Sequence, residues 1–269
     1  MGARATATYF ITGAASGIGA ATAELLAGRG DHVVIADINV DTAENLAKRL
    51  GHETIALELD ITSEAGWETA LDETVARFGS LDVLINNAGI VETGYARDVS
   101  VARHQRTIST NFMGPLIGTL AALRRFRTQG HGHIVTVCSM TAFLPFPGLA
   151  SYAASKHALR AFHHAVAIEE RHNPIDFTIV HPTSTETPML EQEAADESAA
   201  FAFVATSVSA AFVAETIVTA ADNKTREVFM PPEGADDIIR LGVRPDKLLD
   251  IFDGAEQFGR DVQRQRRPS

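Results

Sequence analysis

A serine, a tyrosine and a lysine in the middle of the chain have the types and spacing for proton exchange with an alcohol or ketone oxygen. Tyr152 and Lys156 stand four residues apart in a segment of helical composition, so their side chains share one helix face. A phenol with a pKa of about 10 is a poor base at neutral pH, and a neighbouring ammonium group favours its ionised form. Ser139 stands thirteen residues before the tyrosine, at the end of an apolar run. A loop of that length can bring its hydroxyl back to the phenol.

The composition is that of an acidic globular protein with one large domain. The 269 residues are 45% hydrophobic and 21% charged, and the formal net charge is −11. This charge argues against binding to nucleic acid or another polyanion. The single cysteine, Cys138, excludes an internal disulfide framework and fits a reducing compartment. The first residues hold no apolar signal segment and no apolar run reaches the roughly 18 residues of a membrane span, so we expect a cytoplasmic protein.

Short β-branched runs alternate with longer segments rich in alanine and leucine, which is the pattern of βαβ units around a parallel sheet. The predicted strands cover residues 8–12, 32–37, 54–60, 83–86, 133–139, 177–181 and 227–230. The predicted helices cover residues 18–29, 41–50, 63–78, 103–129, 152–171 and 208–222. This order predicts an α/β fold with a doubly wound parallel sheet of about seven strands and helices on both faces.

A glycine-rich turn follows the first predicted strand and leads into a helix. It reads TGAASGIG over residues 12–19, with its glycines in a G-x3-G-x-G spacing. Glycines let a backbone approach a ligand closely, and a helix N-terminus presents unpaired N–H groups to a pyrophosphate. A tight strand-to-helix turn would need the same glycines without any ligand, so the turn alone leaves both interpretations open.

Asp37 ends the second predicted strand, eighteen residues after Gly19. A carboxylate at this place can accept hydrogen bonds from an adenosine ribose, and it repels a 2′-phosphate. No arginine or lysine occurs inside the glycine-rich turn or directly after Asp37 to hold such a phosphate. NAD is therefore favoured over NADP, although an aspartate that caps the following helix would give the same pattern. After the third strand, Asp60 and Ile61 are candidates to hold an adenine between a polar contact and an apolar wall.

In their order and spacing, these motifs resemble those of the short-chain dehydrogenase/reductase family, in its single-domain branch. The resemblance covers residues 8–230 and rests on TGAASGIG at 12–19, Asp60, NNAG at 86–89, Asn111, Ser139 and YAASK at 152–156. It implies a Rossmann-type fold, a dinucleotide-binding catalytic domain at residues 1–233 and a substrate lid at about 187–207. Residues 234–269 are then a C-terminal extension with two helical patches.

The resemblance also implies a role for each matched residue. Tyr152 would be the general acid/base, while Lys156 would bind the nicotinamide ribose and lower the tyrosine pKa. Ser139 would position the substrate oxygen, and Asn111 would hold a water that links Lys156 to solvent. The residues implied to bind the cofactor are Gly13, Ser16, Gly17, Ile18, Gly19, Asp37, Asp60, Ile61, Asn87, Ala88, Gly89, Tyr152, Lys156, Pro182 and Thr187.

Two features depart from the family pattern. Thr183 replaces the glycine that the family usually has after the sixth strand, and its Cβ would alter the backbone near the nicotinamide. The last strand runs into Pro231 and Pro232, which cannot donate backbone hydrogen bonds, so it should stop there. This weakens the case for the family's usual four-subunit arrangement. A dimer through the helices around Asn111 and Tyr152 is the expected minimum, with homodimer and homotetramer both open.

Apolar residues on both sides of Tyr152 indicate the kind of substrate. They are Phe143, Leu144, Phe146 and Leu149 before it, and Met189, Leu190, Phe201 and Phe203 after it. They favour a hydrophobic secondary alcohol or its ketone, such as a cyclic, terpenoid or steroid-like compound. Residues that only bury their own helices would look the same. An acidic run after Pro182 disfavours a strongly anionic substrate such as an acyl-carrier or coenzyme A thioester; it consists of Glu186, Glu191, Glu193, Asp196 and Glu197.

Two alternatives to an NAD-dependent alcohol dehydrogenase stay open. An NADPH-dependent 3-oxoacyl ketoreductase of the fatty-acid or polyketide type would need a phosphate site that the residues after Asp37 do not provide. A non-catalytic NAD-binding sensor would have no need of Asn111, Ser139, Tyr152 and Lys156 together.

Two groups of basic residues are predicted to have no catalytic role. His157, His163, His164 and His172 lie along or just after the helix predicted at 152–171, without a carboxylate or cysteine at metal-site spacing, so no metal site is predicted. The C-terminal arginines are predicted to form a solvated chain end; they are Arg260, Arg264, Arg266 and Arg267.

Overall fold

A parallel sheet with helices on both faces forms the body of the protein, which a computed structural model describes over residues 6–51 and 53–266. The strands are β1 (Thr8–Thr12), β2 (His32–Asp37), β3 (Thr54–Glu58), β4 (Val83–Asn86), β5 (Gly132–Val137), β6 (Ile175–Pro182), β7 (Thr185–Glu186), β8 (Val208–Ser209) and β9 (Glu227–Met230). The helices are α1 (Gly17–Gly28), α2 (Val40–Leu50), α3 (Glu64–Phe78), α4 (Val101–Ile108), α5 (Gly114–Gln129), α6 (Ala150–Glu169), α7 (Pro188–Ala194), α8 (Ala210–Asp222), α9 (Ala235–Gly242) and α10 (Pro245–Arg266). None of these helices is both long enough and apolar enough to cross a membrane.

Seven strands pair in the order β3-β2-β1-β4-β5-β6-β9, and β7 and β8 form a small separate pair. All pairings in the seven-stranded sheet are parallel, so the carboxyl ends of its strands lie along one edge. The chain order reverses between β1 and β4, which is where a doubly wound sheet opens a crevice for ligands. The predicted α/β fold with about seven strands is confirmed.

Different helices cover the two faces of the sheet, because its strands are apolar on both sides. On one face α1, α2 and α8 pack residues such as Leu26 and Ile217 against the strands. On the other face α3, α5 and α6 contribute a second core around Trp67 and Phe126. The indole N–H of Trp67 also donates to the carbonyl oxygen of Ile61 at 2.9 Å, which fixes the turn after β3. The crevice at the carboxyl edge is therefore held by rigid, buried elements.

Two predicted strands end earlier than expected, and both ends lie at the crevice. β3 stops at Glu58 and β5 stops at Val137. Asp60 and Ser139 consequently stand in the turns that follow the strands. Residues in such turns are free of the ladder of backbone hydrogen bonds, so their side chains can point into the crevice.

Two predicted helices also differ from the structure. The helix predicted over 103–129 is interrupted by a π-helical turn, Ser109–Met113, between α4 and α5. The helix predicted over 208–222 begins only at Ala210, because the preceding residues pair with β7. Ser209 is its N-cap, and its hydroxyl oxygen accepts the N–H of Phe212 at 3.1 Å.

The C-terminal extension forms α9, which packs on the cluster around Phe143 and Ile179, and α10, which folds back over residues 187–207. We call residues 187–207 the lid segment. Phe252 of α10 meets Phe201 of this segment edge to face, with ring centroids 4.8 Å apart. Gln263 is 1% exposed, and its side-chain amide donates to the carbonyl oxygens of Glu193 (2.9 Å) and Asp196 (2.6 Å). The division of the chain at residues 233 and 234 stays a prediction.

Arginines near the end of α10 form surface ion pairs with acidic residues. Arg260 donates to Glu256 at 2.6 Å, and Arg266 donates to Glu186 of the small β7–β8 pair at 3.2 Å. Arg264 and Arg266 are exposed, so a solvated end stays compatible with these ion pairs, and Arg267 lies outside the described residues.

Candidate active site

The glycine-rich turn after β1 packs directly against the segment after β4. The Thr12 hydroxyl oxygen accepts the backbone N–H groups of Asn87 and Ala88, both at 3.0 Å. The Asn87 amide donates to the carbonyl oxygens of Thr12 (2.8 Å) and Gly13 (3.1 Å). A Cβ on Gly13 would lie 2.7 Å from the Cα of Ala88, and one on Gly19 would lie 2.4 Å from the Gly13 carbonyl oxygen. These glycines are therefore required by close backbone packing, whatever ligand the turn binds.

Asp37 lies beside this turn with both of its carboxylate oxygens engaged. Oδ2 accepts the N–H of Ala15 at 3.0 Å, and Oδ1 accepts the N–H of Asn39 at 2.9 Å. The N-cap of α2 is Asn39, whose side-chain oxygen accepts the N–H of Thr42 at 3.2 Å. Capping of α2 therefore does not account for Asp37, which instead ties β2 to the glycine-rich turn.

β5 and α6 bring Ser139, Tyr152 and Lys156 to the wall of one cavity. The Ser139 oxygen accepts the N–H of Thr141 at 3.1 Å, which orients the serine side chain at the start of a short 3₁₀ helix, Met140–Ala142. The Lys156 ammonium donates to the carbonyl oxygen of Val137 at 3.2 Å, and Nζ lies 5.6 Å from the centroid of the Tyr152 ring. The predicted i, i+4 neighbourhood of the tyrosine and the lysine is present.

Burial governs the ionisation of these side chains. Burial raises the pKa of Tyr152 well above its usual value, the nearby carboxyl of Glu193 raises it further, and Ser139 acts in the opposite direction. Burial likewise lowers the pKa of the Lys156 ammonium, against an opposing effect of Cys138. Lys156 by itself therefore does not make the phenol acidic.

The π-helical turn holds Asn111 fully buried against the loop after β4. Its Oδ1 accepts the N–H of Ile90 at 2.8 Å, and its Nδ2 donates to the Ile90 carbonyl oxygen (2.9 Å) and the Ser155 hydroxyl (3.2 Å). A Cβ on Gly89 would lie 3.4 Å from Oδ1 of Asn111 and 3.8 Å from Nζ of Lys156. Both amide hydrogens of Asn111 are used within the protein, so a water could bind only to its oxygen. Its role as a proton relay stays a prediction.

A single cavity of ≈ 670 Å³ connects the glycine-rich turn with Ser139 and Tyr152. Its lining includes fourteen of the fifteen residues proposed to bind a cofactor, namely Gly13, Ser16, Gly17, Ile18, Asp37, Asp60, Ile61, Asn87, Ala88, Gly89, Tyr152, Lys156, Pro182 and Thr187. Gly19 is buried behind the turn, and Asn111 supports the cavity wall from outside. The residues present fit an elongated dinucleotide, because the positive-φ glycines leave the backbone bare at one end and the cavity continues to the phenol.

Thr183 is accommodated without altering the strand. Its N–H donates to the carbonyl oxygen of Met230 at 2.9 Å, which continues the pairing of β6 with β9. Among the described non-glycine residues only Lys224 has a positive φ. A threonine in place of the glycine therefore causes no left-handed backbone here.

The substrate end of the cavity is lined by apolar residues, and only some of them were predicted correctly. Phe146, Leu149, Met189, Leu190 and Phe201 line it. Phe143, Leu144 and Phe203 do not; Phe143, for example, packs on His181 with ring centroids 4.9 Å apart. Sequence reasoning missed Val91, Thr141 and Gln192, which also line the cavity and whose positions have no motif to mark them.

The histidines predicted to bind no metal have separate partners. His163 contacts the Thr136 hydroxyl at 2.9 Å, His157 contacts the carbonyl oxygen of Ala153 at 2.9 Å, and His172 is exposed. Within residues 6–51 and 53–266, no three side chains of the types that ligate metals are grouped to hold an ion.

Comparison with known proteins places these features in a family context. The family profile described as short chain dehydrogenase matches residues 7–198. The trans-4-hydroxycyclohexanecarboxylate dehydrogenase of Sinomonas cyclohexanicum is 36% identical over 188 residues, which cover 66% of this chain and 72% of the relative. The 2,5-dichloro-2,5-cyclohexadiene-1,4-diol dehydrogenase of Sphingobium indicum is 32% identical over 182 residues, which cover 66% of this chain and 73% of the relative.

A solved structure gives the same fold. It is a short chain dehydrogenase/reductase from Burkholderia phymatum in complex with NAD, which superposes with a TM-score of 0.81. The superposition covers 88% of this chain and 93% of the other, at 24% sequence identity. The seven-stranded parallel sheet and its flanking helices are thus shared with that structure.

Proposed function

The chain belongs to the short chain dehydrogenase family, and from that premise we propose that it is an NAD-dependent oxidoreductase that interconverts a hydrophobic secondary alcohol and its ketone. The observation that carries the proposal is the single cavity that joins the glycine-rich turn to Ser139, Tyr152 and Lys156. The names of the two relatives describe substrates with a hydroxyl group on a six-membered ring. Cyclic secondary alcohols are therefore the first substrates to test.

The proposed cofactor is a nicotinamide dinucleotide, and the residues of the glycine-rich turn, Asp37 and the loop after β4 would hold it. When bound, it supplies the acceptor or donor of the hydride and, in its oxidised form, a positive charge. Asp37 supports a preference for NAD, because a carboxylate repels a 2′-phosphate. The solved relative from Burkholderia phymatum is itself a complex with NAD.

The residues of this chain handle the proton. During oxidation Tyr152, as the phenolate, takes the proton from the hydroxyl of the alcohol as the C–H bond breaks, and during reduction the phenol gives the proton back. Ser139 donates to the same oxygen and fixes its position beside the phenol. Lys156 would hold a ribose hydroxyl of the cofactor, and its charge would add to that of the oxidised cofactor in favouring the phenolate.

The proposal is tested by incubating the purified protein with a panel of cyclic and open-chain secondary alcohols and either NAD or NADP. Oxidation of the alcohol is followed through the absorbance of the reduced nicotinamide that it produces. Tyr152→Phe should fold and bind NADH like the wild type but lose nearly all turnover. A Tyr152→Phe variant that keeps more than about a tenth of the wild-type rate would count against the assigned role, since a general acid/base contributes roughly 10²- to 10⁴-fold.

The same experiment decides between the alternatives. An NADPH-dependent 3-oxoacyl ketoreductase would use NADPH and a β-ketoacyl thioester in preference to NAD and an alcohol. A non-catalytic sensor would bind NADH in a fluorescence titration but turn over no alcohol or ketone in the panel. The intact set of Ser139, Tyr152 and Lys156 around one cavity favours the enzyme.

We also propose that the protein is a homodimer or homotetramer assembled through α5 and α6. Two large apolar side chains on these helices are solvent-exposed, Leu120 at 44% and Ile168 at 63%. Sedimentation equilibrium of the wild type and of Leu120→Lys tests this, and an unchanged mass would remove α5 from the interface. A cytoplasmic location stays a prediction.

A further inference from the structure

Glu193 is a buried acidic residue at the substrate end of the cavity. It belongs to α7, is 8% exposed, and lines the cavity together with Tyr152 and Leu190. Its carboxyl group is close enough to Tyr152 to influence the phenol. An ionisable side chain therefore faces the place where the hydrocarbon part of a substrate would lie.

The carboxyl of Glu193 has no hydrogen-bond donor among the residues that the structure describes. Its ionisation is set by burial alone, which raises its pKa to about 7. Other acidic side chains of this region are paired: Glu186 accepts from Arg266 at 3.2 Å, and Asp196 accepts from the Thr93 hydroxyl at 2.7 Å. Glu191 of the same acidic run is exposed to solvent, whereas Glu193 is buried, so Glu193 is a buried carboxyl of this run without a donor.

Glu193 also has no structural task that needs a carboxylate. The contact that anchors this part of the lid segment is the hydrogen bond from Gln263 to the backbone carbonyl oxygen of Glu193, which any residue would provide. A buried polar group without a partner destabilises a protein, whereas an apolar side chain of similar size would fill the same space. A cost of this kind is expected where the group serves a ligand.

We propose that Glu193 accepts a hydrogen bond from a second donor group of the substrate, a hydroxyl or an ammonium group placed away from the reacting carbinol. The inference rests on the proposed function, and it narrows the substrate to a diol or an amino alcohol on an apolar frame. Phe146, Leu149 and Phe201 provide the apolar contacts for that frame. A substrate with a carboxylate, sulfonate or phosphate at this end would be repelled by Glu193.

The test uses four ring alcohols that differ only in the group opposite the reacting hydroxyl. They are cyclohexanol, 1,4-cyclohexanediol, 4-aminocyclohexanol and 4-hydroxycyclohexanecarboxylate, each oxidised with NAD by the full-length protein. kcat/KM is measured for the wild type, Glu193→Gln, Glu193→Leu and the control Glu191→Gln, which changes an exposed carboxylate of the same helix.

The wild type should prefer the diol or the amino alcohol to cyclohexanol by about tenfold or more, the usual effect of one buried hydrogen bond to a charged group. Glu193→Leu should bring this ratio close to one, and Glu191→Gln should leave it unchanged. Glu193→Gln should raise kcat/KM for 4-hydroxycyclohexanecarboxylate. If the wild type prefers the amino alcohol and Glu193→Gln loses this preference, the substrate group that Glu193 binds is an ammonium group. If the wild type prefers the diol and Glu193→Gln keeps part of this preference, the group is a hydroxyl.

Equal preferences in the wild type and both Glu193 variants would overturn the inference while leaving the alcohol dehydrogenase intact. A wild type that favours 4-hydroxycyclohexanecarboxylate over the diol would also overturn it. Oxidation of none of the four alcohols, nor of the wider panel, would instead overturn the proposed function and this inference with it. NADH titration of each variant checks folding, and Glu193→Gln, which keeps the side-chain volume, carries the test if Glu193→Leu does not fold.

Discussion

Lys156 holds its ammonium nitrogen 5.6 Å from the centre of the Tyr152 ring while donating a hydrogen bond to the end of β5. The spacing of the two residues along α6 produces this neighbourhood. Burial nevertheless raises the pKa of the phenol and lowers that of the ammonium group. The lysine thus lies next to the phenol, but its charge alone does not offset the effect of burial on the pKa of Tyr152.

This arrangement predicts the pH dependence of the two directions of the reaction. Oxidation needs the Tyr152 phenolate, so kcat/KM for an alcohol should rise with pH until the phenol in the NAD complex is ionised. Reduction needs the protonated phenol, so kcat/KM for the ketone should fall over the same range.

The pH–rate profiles of both directions are measured for the wild type, Lys156→Met and Tyr9→Phe. Lys156→Met should move the rise in oxidation to higher pH, because a positive charge next to the phenolate is lost. Tyr9 lies in β1 outside the cavity, so its variant should retain the wild-type profile. A profile of Lys156→Met that does not move would exclude an electrostatic role for the lysine.

Asp37 and Ile38 should control the choice between NAD and NADP. Asp37 presents a carboxylate at the end of β2, and Ile38, 70% exposed, follows it on the cavity wall. Asp37→Ser combined with Ile38→Arg replaces the repulsion of a 2′-phosphate by attraction, while serine remains a hydrogen-bonding residue. The ratio of kcat/KM for NADP over NAD should rise by about a hundredfold, or roughly 2.7 kcal/mol.

The matched control is Asp41→Ser, which removes an exposed acidic residue from the first turn of α2. Initial rates with the two cofactors at a fixed alcohol concentration give the ratio for each variant. An unchanged ratio in the double variant would mean that other residues set the cofactor preference.

The part of this site that sequence could predict is the part that local patterns encode. Every strand of the large sheet is a short apolar run, and TGAASGIG, NNAG and YAASK are contiguous segments whose spacing along the chain survives folding. Because parallel strands end at one edge, motifs that follow β1, β4 and β5 had to meet there.

The rest depends on contacts between residues that are distant in the chain. Gln263 reaches the backbone of the lid segment some 70 residues earlier, and no periodicity announces it. Glu193 and Glu191 look alike in sequence, yet one is buried in the cavity and the other is exposed, because the docking of α7 decides which face is covered. The ends of β3 and β5 were also misplaced, since apolar residues continue past the last paired residue.

Gln263 should hold the lid segment in place over the substrate. Gln263→Leu keeps the volume but removes the donors to the carbonyl oxygens of Glu193 and Asp196. Each carbonyl oxygen would keep one backbone donor, the N–H of Asp196 for Glu193 and the N–H of Ala199 for Asp196. The variant therefore loses two hydrogen bonds with a net value of about 0.5–1.5 kcal/mol each, and the lid segment should become more mobile. KM for the alcohol should rise several-fold while the dissociation constant of NADH stays close to that of the wild type.

Hydrogen exchange by mass spectrometry should show faster exchange at residues 187–207 in Gln263→Leu. The control is Gln257→Leu on the exposed side of the same helix, which should change neither KM nor exchange. A rise in the NADH dissociation constant as large as that in KM would indicate a general loss of structure instead.

His181 should position the backbone of Ser139 from behind. The ring is fully buried, with Nδ1 3.2 Å from the Ser139 carbonyl oxygen and Nε2 2.9 Å from Oε1 of Glu227. Although desolvation of Glu227 acts to raise its pKa, hydrogen bonds from His181 and Arg160 lower it to about 2. A carboxylate with a depressed pKa stabilises the folded state above its unfolded value of 4.5, and this stability is lost as the pH falls towards 2.

Thermal unfolding midpoints of the wild type should therefore fall steeply below a pH of about 4.5, and those of Glu227→Gln less steeply. Glu58→Gln, an exposed residue at the end of β3, should follow the wild type. His181→Asn should lower kcat more than it changes the KM for NAD, since it frees the turn that carries Ser139. Parallel pH curves for the wild type and Glu227→Gln would contradict the assigned network.

Glu193 should make the protein less stable as the pH rises. Burial raises its pKa in the folded state to about 7 from an ordinary value of 4.5, so folding favours its protonated form. The contribution of Glu193 protonation to the free energy of unfolding is fully present below pH 4.5 and is lost as the pH rises through 7. Glu193→Gln removes this dependence, so it should match the wild type at low pH and exceed its free energy of unfolding by about 3 kcal/mol at high pH.

Denaturant unfolding of both proteins across this range measures the difference, with Glu191→Gln as the exposed control. Other titrating groups are common to the two proteins and cancel, so a difference that stays constant with pH would show that the Glu193 carboxyl is hydrated or paired rather than isolated in the cavity. A difference that grows with pH and disappears when a diol or amino alcohol saturates the NADH complex would connect the stability cost of this carboxyl to the substrate group that it binds.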